Sequence, residues 1–286
     1  MGILKPFSEV KCEKCDTNGF IVGESSAVKC ICRVNYEWEL KTSDILSKSG
    51  LLDEGSTYED FTRLINFQFT DYRGEDENGN LKKLQKYCDE FDKTKYKEIP
   101  HNSVDDKGNI IRTEYSKVSI ENPFKHLHCY VWGGQGTQKS YTMKGVLTKL
   151  AIKGKLVYYI FAKDLISLLH DSERDEELKK KLDYIKNVDV LVIDEFEEQR
   201  CCLWQSGYKE RLLIVWLKER LEVVRKSTWF ISNDSMEEQK ESKFGELFGD
   251  MLERETKFGR FEFKDKYSDY ITKEEIEQKM KDIWND

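Results

Sequence analysis

The stretch Gly133-Gly134-Gln135-Gly136-Thr137-Gln138-Lys139-Ser140 constrains this chain more than any other. It follows the apolar run Cys129-Tyr130-Val131-Trp132 and opens a segment of helical character, so the order is strand, glycine-rich turn, helix. Such a turn exposes the first amides of the helix at its positive end, a cradle that suits a phosphate group. Lys139 would reach the β- and γ-oxygens, and Ser140 would offer its hydroxyl to Mg²⁺. The pattern G-x-x-x-x-G-K-[ST] is met except where Gln138 stands in place of the second glycine. Gly133, Gly134, Gly136, Thr137, Gln138, Lys139 and Ser140 are the expected nucleotide contacts. Gly136 is expected to carry the unusual backbone of the loop, and the Cβ of Gln138 to crowd the phosphates.

A second segment answers the first. Val190-Leu191-Val192-Ile193-Asp194-Glu195 is a β-branched apolar run that ends in two carboxylates. Strands of a buried parallel sheet read this way, and ligands collect at their C-terminal ends. Asp194 would hold Mg²⁺ through water, and Glu195 would polarise an attacking water. Thr228-Trp229-Phe230-Ile231-Ser232-Asn233 is another apolar run with a polar end, which places Asn233 to orient that water. Arg254, on a later helix, is suited to act on the γ-phosphate of a neighbouring subunit.

From Leu127 onward, strands expected at 127–132, 156–161, 188–193, 228–232 and 258–263 alternate with helices at 139–152, 162–170, 209–224 and 244–255. This alternation argues for a three-layer α/β sheet. The chain of 286 residues has room for one such domain and a small additional module. Its net charge of −7 excludes a global electrostatic footprint for nucleic acid, so any DNA contact is local. Lys144, Lys149, Lys153 and Lys155 offer a strip for it, or simply a solvated helix face. Neither a secretory leader nor a membrane-length apolar run is apparent, so a soluble cytoplasmic protein with no membrane partner is expected.

Of the 8 cysteines, Cys12, Cys15, Cys30 and Cys32 have the spacing of a tetrahedral zinc site, two thiolates from each of two knuckles. Cys88, Cys129, Cys201 and Cys202 follow no such pattern. Residues 1–48 are too few for a core of their own and would be stapled by the metal. A link at Ser47-Lys48-Ser49-Gly50 would lead into a domain of residues 49–272, with a helix near 81–91. Residues 93–122 read as a polar insertion, a surface hairpin turning at 105–109, and residues 273–286 as a charged terminal helix.

Taken together these motifs resemble the bacterial DnaC/DnaI-type helicase loaders of the AAA+ class, in the versions carried by phages and mobile elements. The resemblance runs over nearly the whole chain. Cys12-Glu13-Lys14-Cys15 with Cys30-Ile31-Cys32-Arg33 looks like the zinc module that contacts the helicase, and 134–140 like the Walker A loop. Ile193-Asp194-Glu195 looks like Walker B, Ser232-Asn233 like sensor 1, and Leu252-Glu253-Arg254 like the arginine-finger helix. The resemblance implies an AAA+ P-loop domain with an N-terminal zinc module, using ATP, Mg²⁺ and Zn²⁺. It also implies a homo-oligomer that delivers a hexameric replicative helicase onto single-stranded DNA, in a bacterial or phage-infected cytoplasm. Gln138 departs from the pattern and points to binding with weak hydrolysis. A transposition-helper ATPase and a non-hydrolysing ATP-binding scaffold are the alternatives.

Overall fold

A computed structural model describes residues 3–4, 6–15, 19–22, 27–72, 76, 78–104, 110–197, 207–241 and 243–264. The whole segment after Lys264, with the expected terminal helix at 273–286, the 105–109 turn, and Cys201 and Cys202 lie outside the described residues.

The core strands carry apolar side chains at odd and even positions alike, so both faces of their sheet need cover. The strands are β5 (Cys129–Trp132), β6 (Val157–Phe161), β7 (Val190–Asp194), β8 (Ser227–Ser232) and β9 (Arg260–Glu262). They form one sheet in the order β6-β7-β8-β5-β9, paired in parallel throughout. Side chains alternate across it. Cys129, Val131, Val157, Tyr159, Val190, Val192, Trp229 and Ile231 face one core; Tyr130, Tyr158, Ile160, Leu191, Ile193 and Phe230 face the other.

The first core is covered by α1 (Ile31–Lys48), α2 (Tyr58–Ile65), α3 (Asn80–Glu90) and α4 (Lys139–Ile152), through Leu46, Phe61, Leu84 and Leu147. The second is covered by α5 (Ala162–Asp171), α6 (Glu176–Asn187), α7 (Gly207–Lys218) and α9 (Lys243–Glu255), the last following the short α8 (Met236–Glu241). The result is a three-layer α/β arrangement with the parallel sheet in the middle. Among the described residues no helix is long and apolar enough to cross a membrane.

Ahead of this domain, β1 (Phe20–Val22) and β2 (Ala27–Lys29) make a small antiparallel hairpin. The expected insertion is a long antiparallel ribbon of β3 (Lys95–Val104) and β4 (Ile110–Ile120). Its base is fastened by the amide of Asn122, which donates to the carbonyls of Glu90 and Lys93 at 2.7 and 2.9 Å.

Three elements differ from the reading of the sequence. Residues 176–187 form α6, where no helix is expected; charges fill most of its positions, and only Leu182 and Ile185 are buried. Its start is fixed locally, since the Asp175 carboxylate accepts from the amides of Glu177 and Leu178. The helix expected at 209–224 divides into α7 and a π-helical turn over Glu219–Val224. The supposed link at 47–50 is the end of α1 and its cap: Leu46 is buried in the domain core, and the Tyr159 amide donates to the Ser49 carbonyl at 2.9 Å.

The π-helical turn has a physical reason in Arg220, which is fully buried. Its guanidinium donates to Thr228 Oγ1 at 2.9 Å, to the Ile185 and Val188 carbonyls at 3.3 and 3.2 Å, to Ser227 O at 2.9 Å, and to Lys186 O. It thus satisfies the open carbonyls at the end of α6 and joins them to β8. Burial lowers its pKa to about 9. Removing the fork would leave these carbonyls buried without a donor. Arg220→Ala should therefore cost at least about 3 kcal/mol of unfolding free energy. Urea unfolding checks this, and a loss under about 1 kcal/mol would show that water replaces the guanidinium.

Candidate functional site

Parallel register gathers the polar strand ends. Trp132 lies opposite Ser232 and Phe161 opposite Asp194, so the segments after β5, β7 and β8 emerge at one edge. Residues 135–141, Asp194, Glu195, Glu197, Ile231, Ser232 and Asn233 line a cavity of 300 Å³ there. The edge brings together Gly136, Thr137, Gln138, Lys139, Ser140, Asp194, Glu195 and Asn233.

Lys139 is buried, and its ammonium is turned inward. It donates to the Gly133 and Gly134 carbonyls at 2.6 and 2.7 Å, to Thr137 Oγ1 at 3.2 Å and to Asn233 Oδ1 at 3.1 Å. Thr137 closes the loop further by donating to Gly134 O at 2.9 Å. A phosphate must therefore exchange with loop carbonyls for this ammonium. Gly133 serves the sheet rather than the cavity. A Cβ there, at φ 147°, would lie 2.0 Å from the Phe263 carbonyl.

Gly136 has the unusual backbone expected of it, at φ 83°, and Gln138, at φ 60°, caps α4 in the same left-handed region. The missing glycine thus bears on backbone strain first, about 1–2 kcal/mol for a residue with a Cβ. Glu195 is also left-handed, at φ 55°. Its amide donates to Asp194 Oδ1 at 2.7 Å.

Two residues here carry no motif signal. Glu197 is buried, and its Oε1 accepts from the Asn233 amide at 2.6 Å, which fixes the β8 end to the β7 end. Tyr159, on β6, donates its hydroxyl to Asp194 Oδ2. An acid two positions beyond Asp194-Glu195 is the sequence signal for the first; Tyr159 stands within an apolar strand that gives none.

Arg254 is not brought to this edge. It is exposed on α9 and paired with Glu222 at 2.6 Å and Glu255 at 2.8 Å. The lysine strip is likewise occupied within the chain. Lys144 lies over the Tyr159 ring and Lys149 over Phe67, while Lys153 and Lys155 pair with Asp89 and Asp92.

The four spaced cysteines converge. Cys12 and Cys30 Sγ are 3.8 Å apart, Cys15 and Cys32 Sγ 3.3 Å, and all four lie within 4.8 Å of one another. Cys30 is the N-cap of α1 and Cys32 sits in its first turn, so the helix start aims both thiols at the Cys12–Cys15 turn. Gly19, at φ 81°, closes the site by accepting from the Cys30 amide at 2.9 Å. The Lys14 backbone amide and neighbouring thiols hold Cys12 down to about 7, whereas desolvation and those thiols push Cys32 up to about 12. Four thiolates share such a space only around a cation, and their softness suits zinc.

No protein-family model matches the chain. It is 26% identical over 138 residues to the replicative helicase loader DnaC of Escherichia coli strain K12 and, equally, to that of Shigella flexneri. The match covers 47% of this chain and 54% of those proteins, so it spans about half the length of the curated relatives. Among solved structures, a DnaC helicase loader aligns with TM-score 0.47 and 18% identity, over 71% of this chain and 99% of that one. A DnaI structure aligns with TM-score 0.46 and 17% identity, over 71% of this chain and 93% of that one.

Replacing Lys139 by Ala should abolish ATP binding. Gln138→Gly should strengthen it by about threefold to tenfold if the Gln138 side chain crowds the phosphates, since strain present with and without nucleotide cancels from the affinity. In overall stability the left-handed strain it relieves is offset by glycine's greater freedom in the unfolded chain, so the change should be less than about 1 kcal/mol. Calorimetric titration with ATP checks both variants; unchanged affinity in Gln138→Gly would mean that the side chain does not crowd the phosphates.

Proposed function

We propose that this protein is an ATP-binding helicase loader whose cysteine module grips a replicative helicase while its P-loop domain responds to nucleotide and single-stranded DNA. The observation that carries the reading is the conjunction, in one chain, of a gathered four-thiol cluster with an assembled Lys139–Asp194–Asn233 edge. The sequence similarity to DnaC supports it.

ATP would lie along 136–140, its phosphates on the loop amides and the start of α4. The oxygen donors of Ser140 and Asp194 fit Mg²⁺, which when bound neutralises charge on the phosphates. Glu195 would polarise water, and Asn233, held through its amide by Glu197, would orient it. Arg254 would serve a neighbouring protomer after leaving Glu222 and Glu255. Glu195→Gln should keep ATP binding and lose turnover, and Arg254→Ala should do the same. Mixing the two variants tests action in trans: partial recovery of ATPase is expected, and none under assembling conditions would count against it.

Gln138 and the inward-turned Lys139 favour a second reading, an ATP-binding scaffold that does not hydrolyse. Absence of turnover in the parent protein, with helicase present, would select it.

The helicase assignment is best tested on the full chain, because the end of α1 is built into the domain core. One zinc per chain is expected on metal analysis. Cys12→Ser with Cys15→Ser should lose zinc and capture of the cognate replicative helicase while ATP binding persists. Helicase capture by the zinc-free variant at parental level would overturn the division of labour.

A further inference from the structure

Tyr159 occupies an unusual place for a core tyrosine. It is 4% exposed in the middle of β6, and its ring packs against Phe161 at 5.7 Å between centroids. Its hydroxyl donates to Asp194 Oδ2. The other Asp194 oxygen is taken by the Glu195 amide at 2.7 Å. With that amide, the phenol satisfies a carboxylate that is only 3% exposed and that would otherwise be open to a divalent cation.

We infer that Tyr159 is a positioning residue that occupies Asp194 Oδ2 in place of the metal and yields it when Mg²⁺ enters, so that it sets the Mg²⁺ concentration nucleotide binding requires. The inference rests on the nucleotide reading of this edge. A donor hydroxyl on an anionic acceptor competes with a cation for the same lone pairs. A phenol is protonated at neutral pH, so it continues to donate to the carboxylate. The ring has space to move into. Tyr159 and Ser140 also line a separate cavity of 780 Å³, bounded by Gly50, Leu52, Asp60, Arg63 and Lys144. Lys144, 4.7 Å over the ring, reaches into that cavity and would face a displaced phenol.

The test uses the full chain carrying Tyr159→Phe, which keeps the ring and removes the oxygen. ATP binding is measured in EDTA and across a Mg²⁺ titration, and Mn²⁺ binding to the nucleotide-free protein is followed by electron paramagnetic resonance. The variant should need about tenfold less Mg²⁺ for half-maximal coupling, as expected from losing one hydrogen bond to a charged group. Its ATP affinity in EDTA should stay within about twofold of the parent, since the loop amides and Lys139 are untouched. An equal or higher Mg²⁺ requirement would overturn the inference and make Tyr159 a support for the metal. If neither protein binds ATP under any condition, the nucleotide reading fails on its own. Mn²⁺ then decides: tighter binding by the variant supports the inference, and equal or weaker binding overturns it. Should Tyr159→Phe be unfolded in EDTA, Mn²⁺ should restore its fold, and failure to do so counts against the proposal.

Discussion

Parallel pairing of β5, β7 and β8 underlies everything else in this molecule. It permits apolar residues on both faces, because the backbone groups are satisfied within the sheet and the side chains find two separate cores. It also aligns the strand ends, so the polar C-terminal ends of three apolar runs collect at a single edge. Trp132 opposite Ser232 and Ile193 opposite Phe230 are the registers that do this. A slip of one residue would exchange the two cores and turn Asp194 away from the loop.

The edge so formed is held together by bonds that a ligand must replace. Lys139 is wrapped in loop carbonyls, Asp194 is capped by an amide and a phenol, and Asn233 is tied to Lys139 and Glu197. Gln138 and Glu195 both hold left-handed backbones around it. Strain and internal pairing of this kind keep buried charges satisfied without a ligand, and they set the cost of admitting one.

The cysteine module is joined to this domain by a continuous helix. α1 begins at the thiol cluster with Cys30 and ends with Leu46 in the core and the Ser49 carbonyl on Tyr159. A helix that spans both regions carries a displacement at one end to the other more directly than a free linker would. The Tyr159 backbone and side chain thus touch the end of α1 and the Asp194 carboxylate respectively.

Much of this was legible in the sequence, for reasons of local chemistry. Glycine spacing before Lys139-Ser140, apolar runs closed by Asp194 and by Asn233, and paired cysteines are all visible in short windows, and the fold gathers each set. Strand and helix alternation gave the layers, because burial on both faces writes itself as uninterrupted apolar runs. α6 was hidden because only Leu182 and Ile185 mark its buried face, and the packing that keeps it helical lies in distant residues. Arg220 reads as one more charge of a helix until the carbonyls of α6 and β8 close around it. Glu197's hold on Asn233 and Tyr159's bond to Asp194 were decided by tertiary structure alone. Each depends on atoms brought together by sheet register, and a hydrogen bond between remote residues leaves no periodicity in the chain that makes it.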